Sequence, residues 1–117
     1  MEPLVRQVID SNPAAPVMIL FGGNPHRMNE VITMLKKAGG ITAYGAFSTA
    51  EGLALLQNTP QATLVLIGGR YSAAEREEIR NYIAYNRPTV KITEPGHDYP
   101  YDNVFILQDI KQKLGVN

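Results

Sequence analysis

Two glycine-rich loops carry the residues whose types and spacing suit chemistry. Gly22-Gly23-Asn24-Pro25-His26-Arg27 and Gly68-Gly69-Arg70-Tyr71 each follow an apolar run. Paired glycines let a backbone approach a ligand closely, and a loop that opens a helix offers unpaired N–H groups and the positive end of the helix dipole to an anion. Arg27 and Arg70 add cations suited to a phosphate. Neither loop has the G-x-G-x-x-G or P-loop spacing, and tight strand-to-helix turns explain the same glycines. His26 and His97, the second with Glu94 and Asp98 nearby, are the other groups able to ligate a metal or move a proton. They lack a metal-ligand spacing and no nucleophile stands beside them, so both are read as solvated loop residues. No catalytic residue, metal or cofactor is assigned.

A third cluster suits protein contact. Tyr99-Pro100-Tyr101 is followed by Phe105, and aromatic residues with arginines such as Arg70, Arg80 and Arg87 often anchor interfaces. With Lys91 on the preceding strand, these residues form an expected interaction surface. The competing explanation packs Tyr82 in the core and folds the Tyr99 loop back over that strand.

Composition narrows the classes. The chain has 117 residues, 44% hydrophobic, with eleven basic side chains balancing eleven acidic ones and no cysteine. This is enough to bury a core without disulfides, and it excludes thiolate chemistry and Cys-based metal sites. Neutrality argues against nucleic acid and membrane surfaces as partners. Met1 to Asp10 lacks the apolar core of an export signal and no run is long enough to span a bilayer, so a cytoplasmic location is expected.

The elements that position the loops alternate between two periodicities, the mark of an α/β chain with a parallel sheet. Val17 to Phe21 and Thr63 to Ile67 are continuous apolar runs, read as central strands covered on both faces. Ile41 to Phe47 and Thr89 to Thr93 alternate and are read as edge strands, with Lys91 guarding the outer one. Asn24-Pro25 starts a helix carrying Met28, Val31, Ile32 and Leu35, which Gly39-Gly40 ends. Ser48 with Glu51 and Ser72 with Glu75 match capping boxes, and the second of these helices carries Ile79, Tyr82 and Ile83 and stops before Pro88. Val104 to Leu107 fits a short strand or, better, the start of a helix that reaches Leu114. Residues 1–15 are read as an extension in which Leu4, Val5, Val8 and Ile9 line a short helix, and residues 16–117 as one domain. Right-handed crossovers then give strand order 2-1-3-4 in a three-layer α/β/α sandwich, with the two glycine loops side by side at the switch point.

From Pro16 to Pro95 this pattern resembles the receiver domain of bacterial two-component response regulators, a flavodoxin-like fold. Ala46 to Leu56 (Ala-Phe-Ser-Thr-Ala-Glu-Gly-Leu-Ala-Leu-Leu) carries much of the likeness, with Leu64-Val65-Leu66-Ile67 before its loop. The resemblance implies an acidic pair after the first strand, a phosphoacceptor Asp after the third, a hydroxyl after the fourth and a Lys-Pro element. Here Gly22 and Gly23 stand at the acidic pair, Gly68 at the phosphoacceptor, Thr93 at the hydroxyl, and Glu94-Pro95 or nothing at Lys-Pro. The family's fourth helix and fifth strand are missing from the pattern. The resemblance therefore implies a truncated, degenerate receiver without aspartyl phosphorylation. Two functions follow as expectations. One is a non-enzymatic signalling module that contacts another protein or itself, as a homodimer, through Lys91, Tyr99, Tyr101 and Phe105. The alternative is a small-ligand, nucleotide or phosphate binder, or a small enzyme, using Gly22, Gly23, Asn24, Arg27, Gly68, Gly69, Arg70 and Thr93.

Overall fold

A computed structural model describes residues 6–116. In chain order the elements are β1 (Gln7–Val8), β2 (Val17–Phe21), α1 (Pro25–Ala38), β3 (Thr42–Ala46), α2 (Thr49–Asn58), β4 (Ala62–Ile67), α3 (Ala73–Asn86), β5 (Lys91–Thr93) and α4 (Asn103–Leu114). The sheet order is β1-β3-β2-β4-β5, so the four expected strands lie in the expected 2-1-3-4 order. All of their pairings are parallel.

The apolar runs Val17–Phe21 and Ala62–Ile67 are central because each buries both faces. Met18, Leu20, Leu64 and Leu66 meet α1 and α4, through Met28, Val31, Ile32, Leu35, Ile106 and Ile110. Ile19, Phe21, Val65 and Ile67 meet α2, α3 and Tyr71, through Leu56, Ile79 and Ile83. A helix layer on each side gives the three-layer sandwich. The register sets Phe21 level with Ala46 and Ile67, so Gly22 and Gly68 leave the sheet at the same height.

Two expectations at the N-terminal edge are corrected. The predicted helix over Leu4, Val5, Val8 and Ile9 is not formed where the chain is described: Gln7–Val8 is a strand antiparallel to β3, and Ile9 is exposed. Leu4 and Val5 lie outside the described residues. Consequently β3 is not an edge strand. Its outer N–H and C=O groups would otherwise lack partners, and β1 satisfies them, with the Gly45 N–H donating to the Arg6 carbonyl at 2.7 Å. β5 does end the sheet, with Lys91 exposed on it.

Local signals fix the helices. Asn24 caps α1, Gly39 ends it at φ 72°, and Ser72 with Glu75 forms the full capping box of α3. The second expected box is only half made. Ser48 accepts from the Glu51 N–H, but the Glu51 carboxylate accepts from the Phe47 N–H at 2.9 Å and pairs with Arg6 at 2.6 Å. Val104 to Leu107 lies within helix α4. No helix of the described residues is long and apolar enough to cross a membrane.

The α2 layer depends on a close approach. A Cβ on Gly52 would stand 2.0 Å from Phe21 Cε2 and 2.4 Å from Cδ2, so the helix sits on the Phe21 ring only because residue 52 has no side chain. Gly52→Ala is expected to lose about 1–3 kcal/mol in chemical denaturation through overpacking. Gly69→Ala is the control: a Cβ there meets nothing within 4 Å, and its stability should stay within about 0.5 kcal/mol of the parent.

Candidate functional site

The two glycine loops are in contact, as expected. The Gly22 N–H donates to the Ala46 carbonyl and the Gly68 N–H to the Phe21 carbonyl, each at 2.8 Å. A Cβ on Gly68 would lie 3.0 Å from the Phe21 oxygen and 3.6 Å from Gly22 Cα, so a side chain there would press on the end of β2 and the facing loop. Gly23 lies against Arg70, whose Cβ would be 3.2 Å from a Cβ at position 23.

A cavity of about 310 Å³ opens above these loops, at the switch point between β2 and β4. Leu20, Phe21 and Leu66 line it from the sheet, Met28 and Val31 from α1, and Tyr101 from the segment before α4. Gly22, Gly23, Asn24, Arg27, Gly68, Gly69 and Arg70 complete it, so seven of the eight residues predicted for ligand binding converge. Among the described residues, no carboxylate lines it. The Arg27 guanidinium sits 4.2 Å from the centre of the Tyr101 ring and 3.2 Å from Glu30.

The unpaired backbone donors are not those of the helix N-terminus. Asn24 Oδ1 accepts from the N–H groups of His26 at 2.9 Å and Arg27 at 3.3 Å, and Pro25 has none to offer, so α1 satisfies its own first turn. The unpaired groups belong to the loops: among the described residues, Gly23, Gly69 and Arg70 make no hydrogen bond or ion pair.

The eighth residue, Thr93, is elsewhere. It is buried at the end of β5, donates to Asp109 Oδ2, and its hydroxyl oxygen is 2.6 Å from Tyr99 Oη. Asp109 accepts in turn from Lys113 Nζ at 2.6 Å. Tyr99 is therefore folded back onto β5, and burial pushes its hydroxyl up to about 12. Burial likewise raises Tyr71 to about 12, with the Glu75 and Glu51 charges adding to the effect. Unlike Tyr99, the Tyr71 hydroxyl has no hydrogen-bond partner.

Beneath the cavity lies an ion cluster that sequence reasoning missed. Arg76 and Glu94 are buried, their side chains 7% and 6% exposed, and pair at 2.7 Å. Arg76 also donates to the Gly68 carbonyl at 2.8 Å and the Tyr71 carbonyl at 3.2 Å. Arg80 holds the other Glu94 oxygen at 2.6 Å and 3.0 Å. Arg76 stands three residues before Ile79 and seven before Ile83, on the buried stripe of α3. A charge on an apolar stripe was the available signal of a buried partner. One ligating atom each from Glu94, His97 and Asp98 lies within 4.8 Å of the others, yet both Glu94 oxygens already face guanidinium groups where a cation would have to sit.

The predicted contact residues separate. Lys91 is exposed on the β5 edge. Phe105, 47% exposed, borders an open groove of about 300 Å³ with Tyr99, Pro100, Gln108, Asp109 and Gln112. Tyr101 belongs to the first cavity. Arg80 and Arg87 act within the fold, Arg87 donating to the carbonyls of Leu56, Thr59, Pro60 and Ala62 at the end of α2. Tyr82 is half-buried against the α3-side core.

No family model and no curated protein matches the chain. Among solved structures it is similar to a response regulator receiver protein from Burkholderia phymatum, with a TM-score of 0.63 and 14% identity, covering 87% of this chain and 97% of that one. At that identity the likeness establishes the fold, a receiver-like, flavodoxin-like α/β architecture.

Glu94→Gln leaves Arg76 facing a neutral partner in a buried site and is expected to lose about 3–5 kcal/mol in urea denaturation. Arg76→Leu combined with Glu94→Leu should recover much of that loss while shifting the Gly68 amide resonance, because the carbonyl tether goes with the charge. The tyrosines set an alkaline limit. Their folded values lie above the unfolded value of 10, so the contribution is complete below pH 10 and is lost as pH rises to about 12. In an absorbance titration of the folded protein, Tyr71 and Tyr99 should ionise last. Tyr99→Phe should lose about 1 kcal/mol, whereas Tyr71→Phe, deleting an unpartnered hydroxyl, should lose nothing.

Proposed function

We propose that this chain is a non-enzymatic receiver-fold module that works by contact, with a second copy of itself as the partner. The observation that carries the first half is the chemistry of the strand ends. Gly22, Gly23 and Gly68 stand where the receiver resemblance implies three carboxylates, and a side chain at residue 68 meets the Phe21 carbonyl at 3.0 Å. In this reading the described strand ends lack the oxygens with which a receiver holds its cation and accepts a phosphoryl group.

The surface that supports self-association is the end of the sheet with the outer face of α4. β5 has a free edge, and Val104 and Phe105 are 62% and 47% exposed beside the Tyr99-Pro100 groove. Lys91 discourages direct strand-to-strand pairing, so Phe105 entering the partner's groove carries the contact in this reading. A cysteine-free chain with balanced charge suits a cytoplasmic setting.

A second function, small-ligand binding at the switch point, is favoured by one specific observation: the glycine loops line a cavity whose charged side chains, among the described residues, are Arg27 and Arg70.

Sedimentation velocity tests self-association. Wild type is expected to be dimeric at tens of micromolar, and Phe105→Glu monomeric with unchanged thermal stability. A wild-type monomer at several hundred micromolar, or a dimer that Phe105→Glu leaves intact, overturns the proposed surface.

A further inference from the structure

We infer that the switch-point cavity binds a small amphipathic anion, a single apolar ring or short chain bearing one carboxylate or phosphate, rather than a nucleotide or a free phosphate ion. This deepens the second reading above and rests on it, independently of self-association.

Three features carry the inference. The first is charge. In a chain of zero net charge, the cavity has two guanidinium groups and no carboxylate among its lining residues. Arg27 is paired with Glu30 at 3.2 Å, whereas Arg70 has no counter-ion, and the Gly23, Gly69 and Arg70 N–H groups have no acceptor among the described residues. Unpaired donors beside an uncompensated cation recognise an anionic head.

The second is the lining. Leu66, Met28, Val31 and Tyr101 offer carbon surface and almost no hydrogen-bonding capacity. Asn24 Oδ1 is committed to the α1 cap. Beyond the loop N–H groups and arginines that face the anionic head, the lining side chains leave the Asn24 Nδ2 amide and the Tyr101 hydroxyl, too few to satisfy both a base edge and the hydroxyls of a sugar, and burying such groups unpaired would cost about 1–3 kcal/mol each.

The third is size. A cavity of about 150 Å³ is enough to bind benzene. The cavity of about 310 Å³ therefore takes one ring with its acidic head and is at the lower limit of small-molecule sites. Gly69 supports the same conclusion. Its φ is not positive and a Cβ there would meet nothing within 4 Å, so the space beside the loop amides is open at this position.

The test is titration of the 15N-labelled full chain with phenyl phosphate, phenylacetate, inorganic phosphate, AMP and benzyl alcohol, following the glycine amides. Phenyl phosphate or phenylacetate is expected to shift Gly22, Gly23, Gly68 and Gly69 with an affinity at least tenfold above that of inorganic phosphate, AMP or benzyl alcohol. The comparison of the two acids identifies the preferred head. Arg70→Gln should weaken binding at least fivefold, and because Arg70 is exposed and unpaired, its spectrum should otherwise be that of the folded parent. Equal or tighter binding of AMP or inorganic phosphate would overturn the ligand class while leaving a binding site in place. Equal binding of benzyl alcohol would overturn the anionic head. No shift with any probe at millimolar concentration would overturn the cavity as a site altogether.

Discussion

Glu94 is a carboxylate with 6% of its side chain exposed, and it is held there by Arg76 and Arg80. The Gly68 loop is tied directly to that arrangement. A buried ion pair is often no better for net stability than apolar residues of the same volume, whereas losing one partner leaves an uncompensated charge. The importance of this cluster lies in what else Arg76 holds. Its guanidinium reaches the carbonyls of Gly68 and Tyr71, so the exit of β4, the start of α3 and the end of β5 are fixed through one side chain. The Gly68 N–H is bound to Phe21 at the same time. Residue 68 is thus tethered on both of its backbone polar groups.

Close approach is the second constraint. Gly52 lies on the ring of Phe21, Gly45 lies beneath Met28, and Gly68 lies against the end of β2. These positions draw helices and loops toward the strand ends, and the cavity is the space left where Gly22, Gly23 and Gly69 carry no side chains. An acidic site in this fold needs oxygens at that location. The chain has instead loop N–H groups, two arginines and carbon surface, an environment that favours an anion over a cation.

Much of this was legible in the sequence because it depends on local signals. Continuous apolar runs marked β2 and β4 as central, Lys91 marked the free edge, Asn24-Pro25 and Ser72 with Glu75 marked helix starts, and the repeated strand-to-Gly-pair pattern brought the two loops together. The missed features depend on long-range partners. β1 is two residues long, too short to show a period, and its apolar neighbours imitate a helical stripe. Glu51 satisfies the spacing of a capping box, yet Arg6, 45 residues away in sequence, takes its carboxylate. Thr93 was placed correctly at a strand end, but its partners Tyr99 and Asp109 arrive from a loop and a helix whose packing no local pattern encodes. Arg76 alone carried an overlooked local signal, a charge on the buried face of α3.

Glycine at the strand ends is proposed to separate this receiver-like fold from phosphoryl chemistry. Intact mass spectrometry after incubation with acetyl phosphate and Mg²⁺ tests it most directly. The account predicts an unchanged mass and unchanged glycine amide resonances. A mass increase of one phosphoryl group, labile to hydroxylamine as an acyl phosphate is, would contradict it.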